Sequence, residues 1–130
     1  MSEPGARADQ HDAPHPTGLP YTPSVRAGDW VVVSGQLGLV DGALVDGIEA
    51  QTEQALANLA DQLATHGLAM HDVVKTTCFL ADLEQFGAFN AVYARAFAEP
   101  RPARSAFEVA RLPFDALVEI EAWAIAPAAR

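Results

Sequence analysis

Two residues of opposite charge stand where strand-forming sequence would otherwise run apolar. Arg104 lies in "PARSAFEVARLP", positions 102–113, beside Ala103, Phe107 and Val109. A guanidinium is planar and always charged, and it grips a carboxylate through two parallel hydrogen bonds. In a shielded pocket it would select small organic acids. The competing reading is a structural ion pair with Glu108 or with a glutamate of a neighbouring strand, and the residues alone leave both open. Glu119 lies in "ALVEIEAWAIA", where strand alternation points it the same way as Glu121. Such a carboxylate can orient or deprotonate a water. It can equally be solvated or paired at an interface.

The remaining reactive groups offer less. Ser34 has no base at motif spacing, so a serine nucleophile is weakly supported. Gly35, in "VSGQ", marks a bulge or a place where something approaches the backbone closely. His11 and His15 sit near the start, and His66 and His71 flank the exit of the first helix. No HExxH, Cys/His ligand spacing, GxGxxG or GxxxxGK[ST] occurs, so neither a metal nor a nucleotide cofactor is expected. Lys75, the only lysine, reads as an edge or snorkelling residue rather than a Schiff-base former. Cys78, the only cysteine, excludes an internal disulfide and reads as a small buried hydrophobe.

The formal charge is −9, with eight scattered basic residues, which argues against a nucleic-acid partner. One placed arginine still suffices for a small anion. No apolar run reaches membrane-spanning length, so no membrane partner is expected. Residues 1–17 lack bulky side chains and have no apolar leader, so they read as a disordered tail of a cytoplasmic protein. Residues 18–130 then form one domain.

These residues need elements to hold them. "YTPSVRAGDWVVVSGQLGLVDGALV" reads as two strands and a short third, with turns at "AGD" and "VDG". From Gly47 the period becomes helical. Ile48, Ala55, Leu56, Leu59 and Leu63 form one stripe with Gln51, Glu53 and Asp61 off it, and Gly67 ends the run. "HDVVKTTCFLAD" is a strand. "DLEQFGAFNAVYARAFAEP" is a second helix, N-capped by Asp82, with a stripe of Phe86, Phe89, Val92 or Tyr93, and Phe97. Two strands finish the chain. The order β-β-(short β)-α-β-α-β-β defines an α+β domain of about six strands, whose two helices can cover only one face. In the last strand, Leu117, Glu119, Glu121, Trp123 and Ile125 share the other face, a mixture that suits a subunit interface containing a polar pocket.

Three stretches, "LPYTPSVRAGDWVVVSGQLGL", "VVKTTCFLADLEQFGAFNAVYARAF" and "PARSAFEVARLPFDALVEIEAWA", resemble in order and spacing the Rid family of reactive-intermediate imine deaminases, once called YjgF-like. The resemblance spans about Gly18 to Ala126. It implies a chorismate mutase-like mixed sheet with two helices on one face, and a homotrimer formed through the other face. Pockets would lie in the inter-subunit clefts and bind small 2-imino or 2-keto acids. The implied reaction hydrolyses 2-imino acids and enamines such as 2-aminoacrylate, 2-iminopropanoate and 2-iminobutanoate to 2-keto acids and ammonia, without a cofactor. By position, Arg104 matches the arginine that holds the substrate carboxylate, and Glu119 the carboxylate that positions water. Tyr21 matches an aromatic pocket wall, Ser34 and Gly35 the pocket strand, and Asn90 a helix position near the cleft. Ala106 stands where the family commonly has cysteine, and Pro23 departs from the usual "PYSQAV". Three alternatives accompany this reading: a specialised catabolic deaminase of the aminomuconate type, a non-enzymatic keto-acid-binding trimer, and an RNA-cleaving translation inhibitor.

Overall fold

The computed structural model describes residues 18–126. The expected tail at 1–17 and the last four positions lie outside the described residues. The strands are β1 (Ser24–Ala27), β2 (Trp30–Leu37), β3 (Leu39–Val40), β4 (Ala43–Leu44), β5 (Val73–Leu80), β6 (Ala103–Glu108) and β7 (Val118–Ile125). The helices are α1 (Ile48–Ala64) and α2 (Phe86–Ala96).

Strands 1, 2, 7, 5 and 6 form one sheet, in that order. All its pairings are antiparallel except β5–β6, which is parallel and is bridged by α2 in a βαβ crossover. The mixed sheet with two helices on one face agrees with the sequence. The strand count differs slightly, because β3 and β4 pair only with each other. Asp41 and Gly42 join them, both at positive φ (52° and 83°), as a tight two-residue hairpin requires.

Side-chain alternation along β7 separates the layers. Val118, Ile120, Ala122 and Ala124 are fully buried under the helices. They meet Leu59 and Leu63 of α1, Phe89 and Tyr93 of α2, and Leu80 of β5 in one cluster. Each large apolar side chain buried here contributes roughly 1.5–3 kcal/mol. The opposite face is open and carries Trp123 at 46 % exposure, Phe107 at 45 % and Ile125 at 40 %. Trp30 packs edge-to-face on Trp123, with ring centroids 6.0 Å apart.

Helix ends follow local chemistry. Gly67 takes φ +74° just beyond α1, and the Leu68 N–H closes on the Leu63 carbonyl at 3.0 Å. Asp82 caps a short 3₁₀ turn at Leu83–Gln85, its Oδ1 accepting from the Glu84 N–H, and α2 begins one turn later than expected. Gln51 corrects the expected stripe. It is 5 % exposed, and its Oε1 accepts from the Leu117 N–H at 2.9 Å. Lys75 is also corrected in part: β5 is an interior strand, so this lysine is not on an edge. Cys78 is buried as expected, and burial pushes its thiol up to about 11. No helix among the described residues is long and apolar enough to cross a membrane.

Candidate active site

The sequence-predicted residues fall into two groups on opposite faces of the sheet. The first surrounds a cavity of about 640 Å³ at the β2 bulge, lined by Tyr21, Ser34, Gly35, Gln36, Phe114 and Glu119 together with Asn58 and Gln62 of α1. A β-bulge creates its floor. Val33 pairs with Ala122 and Gln36 with Ile120, so Ser34 and Gly35 are accommodated opposite Glu121 alone. Bulges disrupt the ladder locally and re-aim side chains. Here Ser34 is tied back to the entering chain: its N–H donates to the Pro23 carbonyl at 2.9 Å and its hydroxyl to the Thr22 carbonyl at 2.7 Å. The serine therefore fixes the Tyr21–Pro23 segment along the cavity and is not poised as a nucleophile. Pro23 takes part in this arrangement through its carbonyl, which a proline keeps.

Glu119 lies over Gly35. A Cβ at position 35 would come within 2.7 Å of Glu119 Cδ, so only glycine leaves the carboxylate this berth. Glu119 is partly buried, and no protein group among the described residues makes a hydrogen bond or ion pair with its carboxylate. Burial, reinforced by the nearby Glu121 carboxylate, pushes its pKa above the usual carboxylate range. It is thus a better proton acceptor than an ordinary surface glutamate, and its oxygens remain available to a ligand.

The second group stands at the sheet edge, on the helix side. Arg104 of β6 pairs with Thr76 of β5, and its guanidinium reaches back onto α2. Its Nη1 donates to Asn90 Oδ1 at 2.8 Å. Three rings of α2 surround it: Tyr93, Phe86 and Phe89, with centroids 4.8, 5.4 and 5.6 Å from Cζ. Such contacts are worth about 0.5–2 kcal/mol each and leave the fork of donors intact. Tyr93 is itself fixed by a 2.7 Å hydrogen bond between its hydroxyl and Thr76 Oγ1. Ala106, opposite Cys78, continues along the same face.

The alternative reading, a pairing of Arg104 with a glutamate, does not occur among the described residues. Glu108 Oε1 instead accepts from the Leu83 N–H at 2.9 Å. Among the described residues Arg104 makes no ion pair. Its charge is held by aromatic faces and one neutral amide, an arrangement that orients a guanidinium without neutralising it.

Sequence reasoning named Asn90 without a definite role, and the structure supplies one. It missed the part that Phe86, Phe89 and Tyr93 play as a platform. Their helical spacing was legible only as a core stripe, and nothing local showed that an arginine would lie against it. Phe114 was missed altogether.

The described fold agrees with solved structures similar to this chain. The family model described as "Endoribonuclease L-PSP" matches residues 10–126. A RutC family protein of Pyrococcus horikoshii is 43 % identical over 114 residues, covering 85 % of this chain and 90 % of that protein. The 2-iminobutanoate/2-iminopropanoate deaminase of Salmonella typhimurium is 42 % identical over 111 residues, covering 82 % and 87 %. The crystal structure of E. coli TdcF with bound serine superposes with a TM-score of 0.80 at 35 % identity, covering 84 % of this chain and 90 % of that one. The chain belongs to the Endoribonuclease L-PSP family, the YjgF-like or Rid family that its sequence resembles. Members of this family are named imine deaminases.

Proposed function

We propose that this protein hydrolyses 2-imino acids and their enamine tautomers to 2-keto acids and ammonia, at clefts between subunits of a homotrimer. The observation that carries the proposal is Arg104: a guanidinium oriented by Asn90 and three rings, with no carboxylate partner among the described residues. A substrate carboxylate completes that pairing through two charge-assisted hydrogen bonds. The serine bound to the similar TdcF carries a carboxylate of the same kind.

Arg104 and Glu119 cannot act on one small molecule within a single protomer. They face opposite sides of the sheet and lie two strands and three residues apart, on the order of 14 Å between backbones. A second copy, docking its open face against the β6 edge, would bring its Glu119 cavity to the first copy's arginine. The exposed Trp123, Ile125 and Phe107 supply apolar surface for that contact.

In the assembled cleft the chemistry is short. Arg104 holds the carboxylate and so fixes C2 of the imine beside a water. Glu119 accepts a proton as the water oxygen bonds to C2 and the C=N π pair moves to nitrogen. Glu119 returns that proton to nitrogen, which completes the carbinolamine; the carbinolamine hydroxyl then passes its own proton through Glu119 to the nitrogen, the C–N bond breaks, and ammonia departs as the C=O forms. Positioning and a proton-accepting carboxylate suffice for an electrophile as reactive as an imine.

The test generates 2-iminopropanoate in situ and traps it with semicarbazide. The wild-type protein should divert imine from the trap and Arg104→Ala should not; equal behaviour of the two proteins would overturn the proposal. The family description favours a second reading, cleavage of RNA. The −9 charge of this chain opposes it. RNA cleavage that co-purifies with the protein and is lost in Arg104→Ala would revive it.

A further inference from the structure

The cavity beside Glu119 is larger than a methyl-bearing imine requires. Its volume, about 640 Å³, falls in the range of pockets that enclose drug-sized ligands. Beyond Glu119 and Gly35, its walls combine the apolar side chains of Leu37, Leu39, Pro113 and Phe114 and the ring of Tyr21 with the polar side chains of Ser34, Gln36, Asn58 and Gln62.

Phe114 is conspicuous among them. It is 67 % exposed, the highest value among the exposed large hydrophobic side chains, and it makes no ring contact among the described residues. Its backbone is left-handed, φ 61° and ψ 15°, a conformation that bulky residues rarely adopt. The turn that presents it is fastened at both ends. Leu112 and Ala116 are buried with Leu37 in a small second core. The Asp115 N–H donates to the Leu112 carbonyl at 3.1 Å, and the Ala116 N–H to the Pro113 carbonyl at 3.0 Å. A strained, anchored turn thus holds an aromatic ring out beside a reactive carboxylate, although the protomer's core gains little from that ring. Strain of this kind is retained where the surroundings over-determine it, characteristically at ligand sites.

We propose that Phe114 is a specificity-determining residue. With Tyr21 it forms an aromatic wall that receives the substrate's side chain, so the site selects imino acids with bulky apolar side chains over 2-iminopropanoate. This inference rests on the deaminase reading of the site.

Phe114→Gly is the informative variant, because glycine accepts the left-handed backbone and only the ring is lost. Binding of two stable 2-oxo acids, pyruvate and 4-methyl-2-oxopentanoate, is measured by calorimetry on the assembled protein. The wild type should bind the branched acid at least about ten-fold more tightly. Phe114→Gly should reduce the ratio to about two-fold or less, and Phe114→Leu should restore most of it. A wild-type ratio near one, a ratio unchanged in Phe114→Gly, or no binding of either acid would overturn the proposal. The readout needs no turnover. If the wild type diverts no imine from semicarbazide yet shows the ratio and its loss, deamination falls and the role of Phe114 stands. If imines of alanine and leucine are consumed with equal kcat/KM by both proteins, the role of Phe114 falls and deamination stands.

Discussion

Glu119 rests directly over Gly35, with its Cγ 3.0 Å and its Cδ 2.7 Å from where a Cβ on residue 35 would be. The glycine is a steric licence for the carboxylate's position, created by the bulge in β2. Gly35→Ala should displace the carboxylate by about an ångström and lower kcat on the order of 100-fold. Thermal stability should change little, because the clash is with the flexible end of a side chain. Steady-state kinetics and a melting curve on the same preparation check both halves.

Asn90 orients Arg104 without neutralising it, which makes the two obvious substitutions differ. Asn90→Ala frees the guanidinium to wander, and KM should rise about ten-fold. Asn90→Asp places a carboxylate where the 2.8 Å amide contact is, competing with the substrate for the same donors. It should be clearly the worse of the two, although it is the closer in shape. Equal damage from both would mean that Asn90 serves packing alone.

Glu119 titrates high because it is partly buried and because Glu121 lies beside it. If it accepts the proton, activity should fall as pH drops through this raised value. Glu121→Gln removes the second cause and should move that acid limb to lower pH, leaving the contribution of burial. The stability consequence has the opposite sense. A carboxyl whose folded pKa is raised favours the native state while protonated, and that contribution is lost as pH rises through the folded value. Glu119→Gln should therefore raise Tm at neutral pH, with little effect below the ordinary carboxylate range. A pH–rate profile and paired melting curves read out the two signs.

Trp123 is 46 % exposed on the open face and packs on Trp30. Trp123→Glu should leave the helix-covered core intact while preventing association. Circular dichroism should be close to wild type, and sedimentation should show the mass falling to that of a protomer. Deaminase activity should vanish with the assembly, although position 123 is not among the residues lining the cavity.

Much of this architecture was legible where a local rule governs it. Alternation in "VEIEAWAI" separated the buried Val118, Ile120, Ala122 and Ala124 from the open side, and Gly67 marked the end of α1. Arg104 and Glu119 stood out as charges inside strand pattern. Features set by long-range contacts were not legible. The burial of Gln51 depends on a backbone N–H 66 residues away. Lys75 lies on an interior strand because the βαβ crossover places β6 outside β5, an order that no local periodicity encodes. The platform under Arg104 required knowing that α2 packs across the edge strand. Phe114 follows Leu112 and Pro113, and its positive φ has no signature in a phenylalanine.

The placement of Arg104 and Glu119 on opposite faces of one sheet has a genetic consequence. Each subunit would be a donor of arginine to one cleft and of glutamate to another, so two dead proteins could repair each other. An Arg104→Ala chain still offers its carboxylate, and a Glu119→Gln chain still offers its guanidinium. Co-refolded in equal amounts with random mixing, they should assemble about a quarter of their clefts intact. Activity would arise from a blend of two inactive preparations, which no arrangement with both residues in the same protomer's pocket could produce.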